Sequence, residues 1–150
     1  MSTILLGAGC FWGVQEYFRK IEGISNTKVG YSGGHTINPT YEEVCYGDTD
    51  HAEVILINFD ENVITLNRIL EHFWKCHDPT QLNRQGLDVG RQYRSVIYCY
   101  EDNQINLASK SKIEAQKNYK KTIVTEIKKS DKFYLAEDYH QFYINKRQAS

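Results

Sequence analysis

The chain has 150 residues, of which 41% are hydrophobic, 13% aromatic and 25% charged, with two prolines. That length and mixture predict one globular domain with an ordinary core and exclude a disordered, collagen-like or low-complexity chain. A formal net charge of −1 gives no support to a nucleic-acid partner, which needs a basic excess, and no run of 18 apolar residues offers a membrane span.

The N-terminus lacks a basic leader, so Thr3–Gly7 reads as a first strand, not a signal peptide. Gly7-Ala8-Gly9 breaks it, and Phe11, Val14, Phe18 and Ile21, joined by Tyr17, then recur at helical spacing up to Gly23. Thr27–Tyr31 predicts a short strand, Ser32–Pro39 a glycine-containing loop, and Thr40–Tyr46 a short helix. His51–Asp60 is the clearest strand: Glu53, Ile55, Ile57 and Phe59 share one face, and Ala52, Val54 and Leu56 the other. Apolar residues on both faces predict a central position in a sheet.

Leu66, Ile69, Leu70, Phe73 and His77 mark an amphipathic helix ended by Pro79, and Gln81–Gln92 reads as a loop. Ser95–Tyr100 predicts a strand, Asp102 caps a polar helix to about Lys120, and Ile123–Ile127 reads as the last strand. The tail beyond Ser130 is aromatic and reads as mostly irregular. This order predicts an α+β fold with helices over a mixed sheet.

Four cysteines stand at positions 10, 45, 76 and 99, with no C-x-x-C pair. In a chain without a secretion signal they predict free thiols in a reducing cytoplasm. Cys10 lies between the first strand and the first helical residue. A helix start carries free N–H groups and partial positive charge, which favour a thiolate and lower a thiol pKa. Position alone serves an activated nucleophile and a small buried apolar residue equally well. Phe11 and Trp12 are adjacent, so if Phe11 joins Val14 and Phe18, Trp12 stays partly exposed beside Cys10 as an apolar wall. Glu53 shares its face with apolar residues, where a carboxylate favours its neutral, proton-donating form. Periodicity alone slightly favours a solvated strand-end glutamate.

Gly9-Cys10-Phe11-Trp12-Gly13 resembles the signature of the peptide methionine sulfoxide reductase A family. The resemblance continues in order through Gly30-Tyr31-Ser32-Gly33-Gly34, Asn38-Pro39-Thr40-Tyr41-Glu42-Glu43-Val44, Gly47-Asp48-Thr49 and His51-Ala52-Glu53. It runs on through Phe73-Trp74, His77-Asp78-Pro79, Arg84-Gln85-Gly86, Asp88, Gly90, Gln92-Tyr93-Arg94-Ser95 and Ala136-Glu137-Asp138. It implies a two-layer α/β sandwich with a mixed, mainly antiparallel sheet, flanking helices and a ferredoxin-like core. It implies reduction of the S epimer of methionine sulfoxide, free or in proteins, with no metal or organic cofactor. Matched residue by residue, Cys10 is the nucleophile and Glu53 the acid that protonates the sulfoxide oxygen. Phe11 and Trp12 hold the S-methyl group, Tyr41 and Tyr93 bind the oxygen, and Asp88 helps position the substrate.

The sequence also departs from the family. Many members recycle through a second cysteine in a C-terminal tail, and Tyr143–Ser150 contains none. Cys99 reads as core and Cys76 as structural, which leaves Cys45 as the one candidate for an internal resolving cysteine. The expectation is a one-cysteine cycle, in which glutaredoxin with glutathione, or thioredoxin, reduces the Cys10 sulfenic acid. Gln15 stands where the family often has glutamate, and Asp50 where glycine is common. Two rival chemistries are weaker. A papain-like pair of Cys10 with His140 lacks the rest of that motif. A zinc site at His72, Cys76, His77 and Asp78 lacks opposed ligand pairs.

Overall fold

The computed structural model describes residues 1–149. The first half of the chain forms β1 (Ser2–Gly7), α1 (Phe11–Phe18), β2 (Ile24–Ser32), α2 (Tyr41–Tyr46) and β3 (Ala52–Phe59). The second half forms α3 (Leu66–Cys76), β4 (Arg84–Gln85), β5 (Asp88–Val89), β6 (Val96–Cys99), α4 (Asp102–Gln116), β7 (Glu126–Lys129), β8 (Phe133–Leu135) and α5 (Tyr143–Ala149). Short 3-10 turns cover Arg91–Tyr93 and Asp138–His140.

Six strands make one sheet in the order β7-β6-β1-β3-β2-β8, and β4 and β5 form a separate small hairpin. The β6–β7 pair is parallel and the other pairs of the large sheet are antiparallel. The inner order β6-β1-β3-β2, with α1 and α3 as crossovers, is the ferredoxin-like βαββαβ arrangement. β3 is central, as its two apolar faces predict. Ile55, Ile57 and Phe59 meet Val14, Phe18, Ile69, Leu70 and Phe73 of the helices. Ala52 and Val54, with Leu56, face a smaller cluster with Leu5, Val96 and Tyr98.

Several boundaries differ from the sequence expectation. Glu101, not Asp102, caps α4, forming a capping box with Gln104, and the helix ends at Gln116 instead of about Lys120. Gln116 explains the earlier stop: its side chain donates to Lys121 O and accepts from Ile123 N, closing the turn. The strand expected over Ile123–Ile127 is Glu126–Lys129, because β6 offers its four pairing residues only there. Gln81–Gln92 is not all loop, since it contains the β4–β5 hairpin turning at Gly86.

The tail is the larger correction, for it is ordered structure. β8 adds to the sheet beside β2, with Tyr31 opposite Tyr134. A Cβ at Gly30 would stand 2.3 Å from Tyr134 O and 2.5 Å from the Phe133 ring, so a glycine lets β8 approach. Past the strand, Gln141 takes over its hydrogen bonding, accepting from Val29 N at 3.0 Å and donating to Val29 O at 2.9 Å. Ser150, the last residue of the tail expected to be irregular, lies outside the described residues.

Candidate active site

β1 delivers the chain to the site. Gly9 adopts φ +99°, a conformation costly for residues with a Cβ, and turns the backbone so that Cys10 becomes the N-cap of α1. The sulfur is half-buried and closes no capping hydrogen bond. Burial first, and then the Glu53 carboxylate, push its pKa up to about 11, against the first-turn amides of Trp12 and Gly13, which lower it. This corrects the expectation of a lowered thiol pKa. The helix start is present, but enclosure and a facing acid outweigh it.

Glu53 sits one residue into β3, on the face that carries Ile55 and Ile57, and is 1% exposed. Its Oε1 accepts the Phe11 N–H at 3.2 Å, while Oε2 is buried with no hydrogen-bond partner. Burial pushes its pKa up to about 8; the Phe11 amide lowers it and the Asp88 charge raises it. The solvated strand-end reading is thereby excluded. At neutral pH this carboxyl is mostly protonated, and its free oxygen is a proton donor held in an apolar setting.

Aromatic rings close the site. Phe11 is 1% exposed, with its ring 5.7 Å from Tyr31 and 6.4 Å from Tyr41. It packs with Val29, Tyr31, Val44 and Ala136, not with Val14 and Phe18 as expected, because β2, α2 and the tail build a second core over this end of α1. Trp12 is half-buried, as expected. It stacks on Tyr143 at 3.9 Å and donates from Nε1 to His140 Nδ1 at 2.9 Å.

Tyr41 opens α2, whose Thr40–Glu43 capping box fixes the helix start. Its N–H donates to Glu137 Oε2 at 2.9 Å, and Tyr31 Oη donates to Oε1 of the same carboxylate at 2.9 Å. Burial and contact with the Cys45 sulfur hold the Tyr41 hydroxyl well above the usual phenol range. Tyr93 is raised as well, first by burial and then by the charges of Glu53, Cys45, Asp88 and Cys10, so one phenol lies within electrostatic reach of all four. Asp88 is exposed on the β4–β5 hairpin and acts on Cys10, Glu53 and Tyr93 alike. All seven candidate residues therefore gather at one end of the sheet.

The family model for peptide methionine sulfoxide reductase matches residues 2–150. The chain belongs to the peptide methionine sulfoxide reductase family. It is similar to the peptide methionine sulfoxide reductase MsrA of Clostridium tetani, 56% identical over 97% of this chain and 89% of that one. Among solved structures it is similar to reduced Mxr1 from Saccharomyces cerevisiae, with TM-score 0.94 and 38% identity over 99% of this chain and 86% of the other. Mxr1 in complex with Trx2 is also similar, with TM-score 0.68 and 29% identity over 94% and 83%. This chain is an oxidoreductase that reduces methionine sulfoxide to methionine.

Other cysteines and histidines of this reductase have separate duties. Cys99 is fully buried in the core, and Cys76 packs at the core's edge, its thiol donating to Phe73 O at 3.2 Å. The zinc reading fails on geometry. His72 bonds Tyr17 Oη at 2.9 Å, while His77 bonds Phe73 O at 2.7 Å and Ser95 Oγ at 2.8 Å, so the cluster does not converge. His140 bonds Trp12 instead of pairing with a nucleophile. A concavity of about 830 Å3 between α3 and α4 is lined by Trp74, Lys110 and Tyr119 among others and shares no residue with the site.

The sequence does not assign Glu137, His140 and Gln141 to the site's walls, and it leaves Tyr143 open between covering the sheet and lining the substrate entrance. The Ala136-Glu137-Asp138 segment of the family pattern was the available signal for the first. Gln15 has no role legible in the sequence. Buried on α1, it donates to Thr27 O and Oγ1 and accepts from Phe142 N at 2.7 Å. An amide does both; a carboxylate only accepts.

Proposed function

We propose that Cys10 is the nucleophile and Glu53 the acid in thiol-dependent reduction of the S epimer of methionine sulfoxide, free or within proteins. The observation that carries this reading is the buried, mostly protonated Glu53 with an unpartnered Oε2 beside the half-buried Cys10. A sulfoxide oxygen leaves only after gaining a proton, and a positioned neutral acid supplies one. Phe11 and Trp12 supply the apolar cage for the S-methyl group. Tyr41 and Tyr93 donate hydrogen bonds to the oxygen, and Asp88 positions the substrate.

The step balances. The Cys10 sulfur bonds to the substrate sulfur as the Glu53 proton passes to the sulfoxide oxygen; the resulting hydroxyl then moves to the Cys10 sulfur as the substrate S–O bond and the transient S–S bond break. The thiol proton returns to Glu53, leaving methionine and a Cys10 sulfenic acid. Cys10 is oxidised by two electrons and the substrate sulfur is reduced by two. Because both groups are largely protonated at rest, the thiol gives up its proton only as the acid loses its own.

An external thiol then displaces water from the sulfenic acid, and a second thiol releases Cys10 as a thiol with an external disulfide. Within residues 1–150 the segment that walls the site carries no cysteine and is anchored to β2 through Gln141 and to α1 through Phe142, which supports this one-cysteine cycle. The complex of the similar Mxr1 with Trx2 favours a thioredoxin as reductant; glutaredoxin with glutathione serves the same chemistry. Four free cysteines support work in a reducing cytoplasm, with the chain acting as one domain. No helix among the described residues is long and apolar enough to cross a membrane.

Single-turnover reaction with resolved sulfoxide epimers, without reductant and with a sulfenic-acid trap, tests the proposal. One methionine per chain from the S epimer, with the trap on Cys10, is the expected result. Turnover in Cys10→Ser would overturn it.

A further inference from the structure

Two residues of the C-terminal segment hold the Trp12 indole. Tyr143 covers one face at 3.9 Å, its ring 13° from parallel. His140 accepts the indole N–H on Nδ1 at 2.9 Å. An indole nitrogen can only donate, so Nδ1 is the bare nitrogen and the imidazole proton sits on Nε2. Nε2 is buried and has no partner among the described residues, and His140 is 0% exposed. Its ring lies among those of Phe11, Tyr41 and Tyr139, at centroid distances of 5.2, 4.4 and 4.0 Å.

A leucine or phenylalanine would fill such a space without burying an unbonded N–H. What histidine adds is the acceptor for Trp12. The segment that presents it is tied to the helix that presents Trp12. Gln15, three residues along α1, accepts the Phe142 N–H, and i and i+3 side chains lie on one helix face. Trp12 and its wall therefore move as one body.

We propose that His140 is a positioning residue that fixes Trp12 through Nδ1 and, with Tyr143, sets how large a sulfur substituent the cage admits. This rests on the reading of Phe11 and Trp12 as the S-methyl cage. A fixed indole accepts methyl and rejects ethyl; a freed one admits both less selectively.

The test compares methionine S-sulfoxide with ethionine S-sulfoxide, its S-ethyl analogue, in His140→Leu and His140→Asn. Asparagine places its oxygen close to where Nδ1 stands and keeps the acceptor. In His140→Leu, KM for the methyl substrate rises about tenfold with little change in kcat. Its preference over the ethyl substrate falls about tenfold, within the range one methylene is worth. The chain has two tryptophans, so in a Trp74→Phe background fluorescence anisotropy reads Trp12 alone. Anisotropy falls in the leucine variant, and asparagine restores all three readouts.

Leucine and asparagine variants that behave alike, or a leucine variant with unchanged preference and anisotropy, would overturn the inference. Should the leucine variant fail to fold, His140→Gln takes its place, because its oxygen falls near Nε2 and misses the indole. Trp12→Phe separates the two layers of argument. If it leaves KM and preference unchanged, the cage reading fails; if it changes them while the His140 variants do not, only the His140 role fails.

Discussion

The Phe11 amide and the Glu53 carboxyl are joined by one hydrogen bond of 3.2 Å that uses Oε1 and leaves Oε2 free. The residue after the proposed nucleophile thus orients the proposed acid, and this bond ties α1 to β3 at the site. A single stabilising bond is too little to keep a buried carboxylate ionised.

Glu53→Gln keeps the shape and removes the proton. Turnover is expected to fall by about 10²–10⁴, the usual contribution of a general acid. In the native enzyme the rate should decline as pH rises through about 8, where Glu53 ionises, and the residual rate of the variant should lack that decline. Steady-state rates between pH 6 and 9.5 check both.

The same shift has a stability consequence. Below about 4.5, its ordinary pKa, Glu53 is protonated in both folded and unfolded chains and contributes no pH dependence. Above that, the unfolded chain ionises while the folded one holds its proton until about 8, so stability contributed by this group falls across that window. Glu53→Gln should therefore raise the melting temperature at pH 8 more than at pH 5. Paired thermal melts measure it.

Thiol counting after one turnover without reductant should show one thiol lost per chain, at Cys10. Cys45 is near enough for Tyr93 to sense both sulfurs, so a second lost thiol, mapped to a Cys10–Cys45 disulfide, would replace the one-cysteine cycle with an internal one.

Tyr93→Phe removes one of the two donors proposed for the reacting oxygen. The expected loss in kcat is at least about tenfold and at most the ~10²–10³ of an oxyanion-hole donor. Tyr41→Phe should cost less, because its hydroxyl is shared with the Cys45 sulfur. Rates of the two variants at one pH rank them.

Gln15→Leu should destabilise the fold by about 1–3 kcal/mol, the cost of leaving buried polar partners unmet. Here those partners are Thr27 O and Phe142 N. Denaturant titration reads the loss, and KM should rise with it as the Trp12 wall loosens.

Sequence alone determined the central strand, the amphipathic α3 and the family signature around Cys10, because apolar periodicity and contiguous motifs are local properties of the chain. Glu53 and Cys10 could be named from it, but the direction of the Cys10 shift could not. That direction depends on enclosure by β3 and the β4–β5 hairpin, which no spacing reveals. The tail shows the same division. Phe133–Leu135 is too short to announce a strand until the edge at Gly30 receives it, and His140 acquires a role only where folding sets it against an indole 128 positions away. Tertiary structure decides such matters because burial and hydrogen-bond pairing are relations between distant residues.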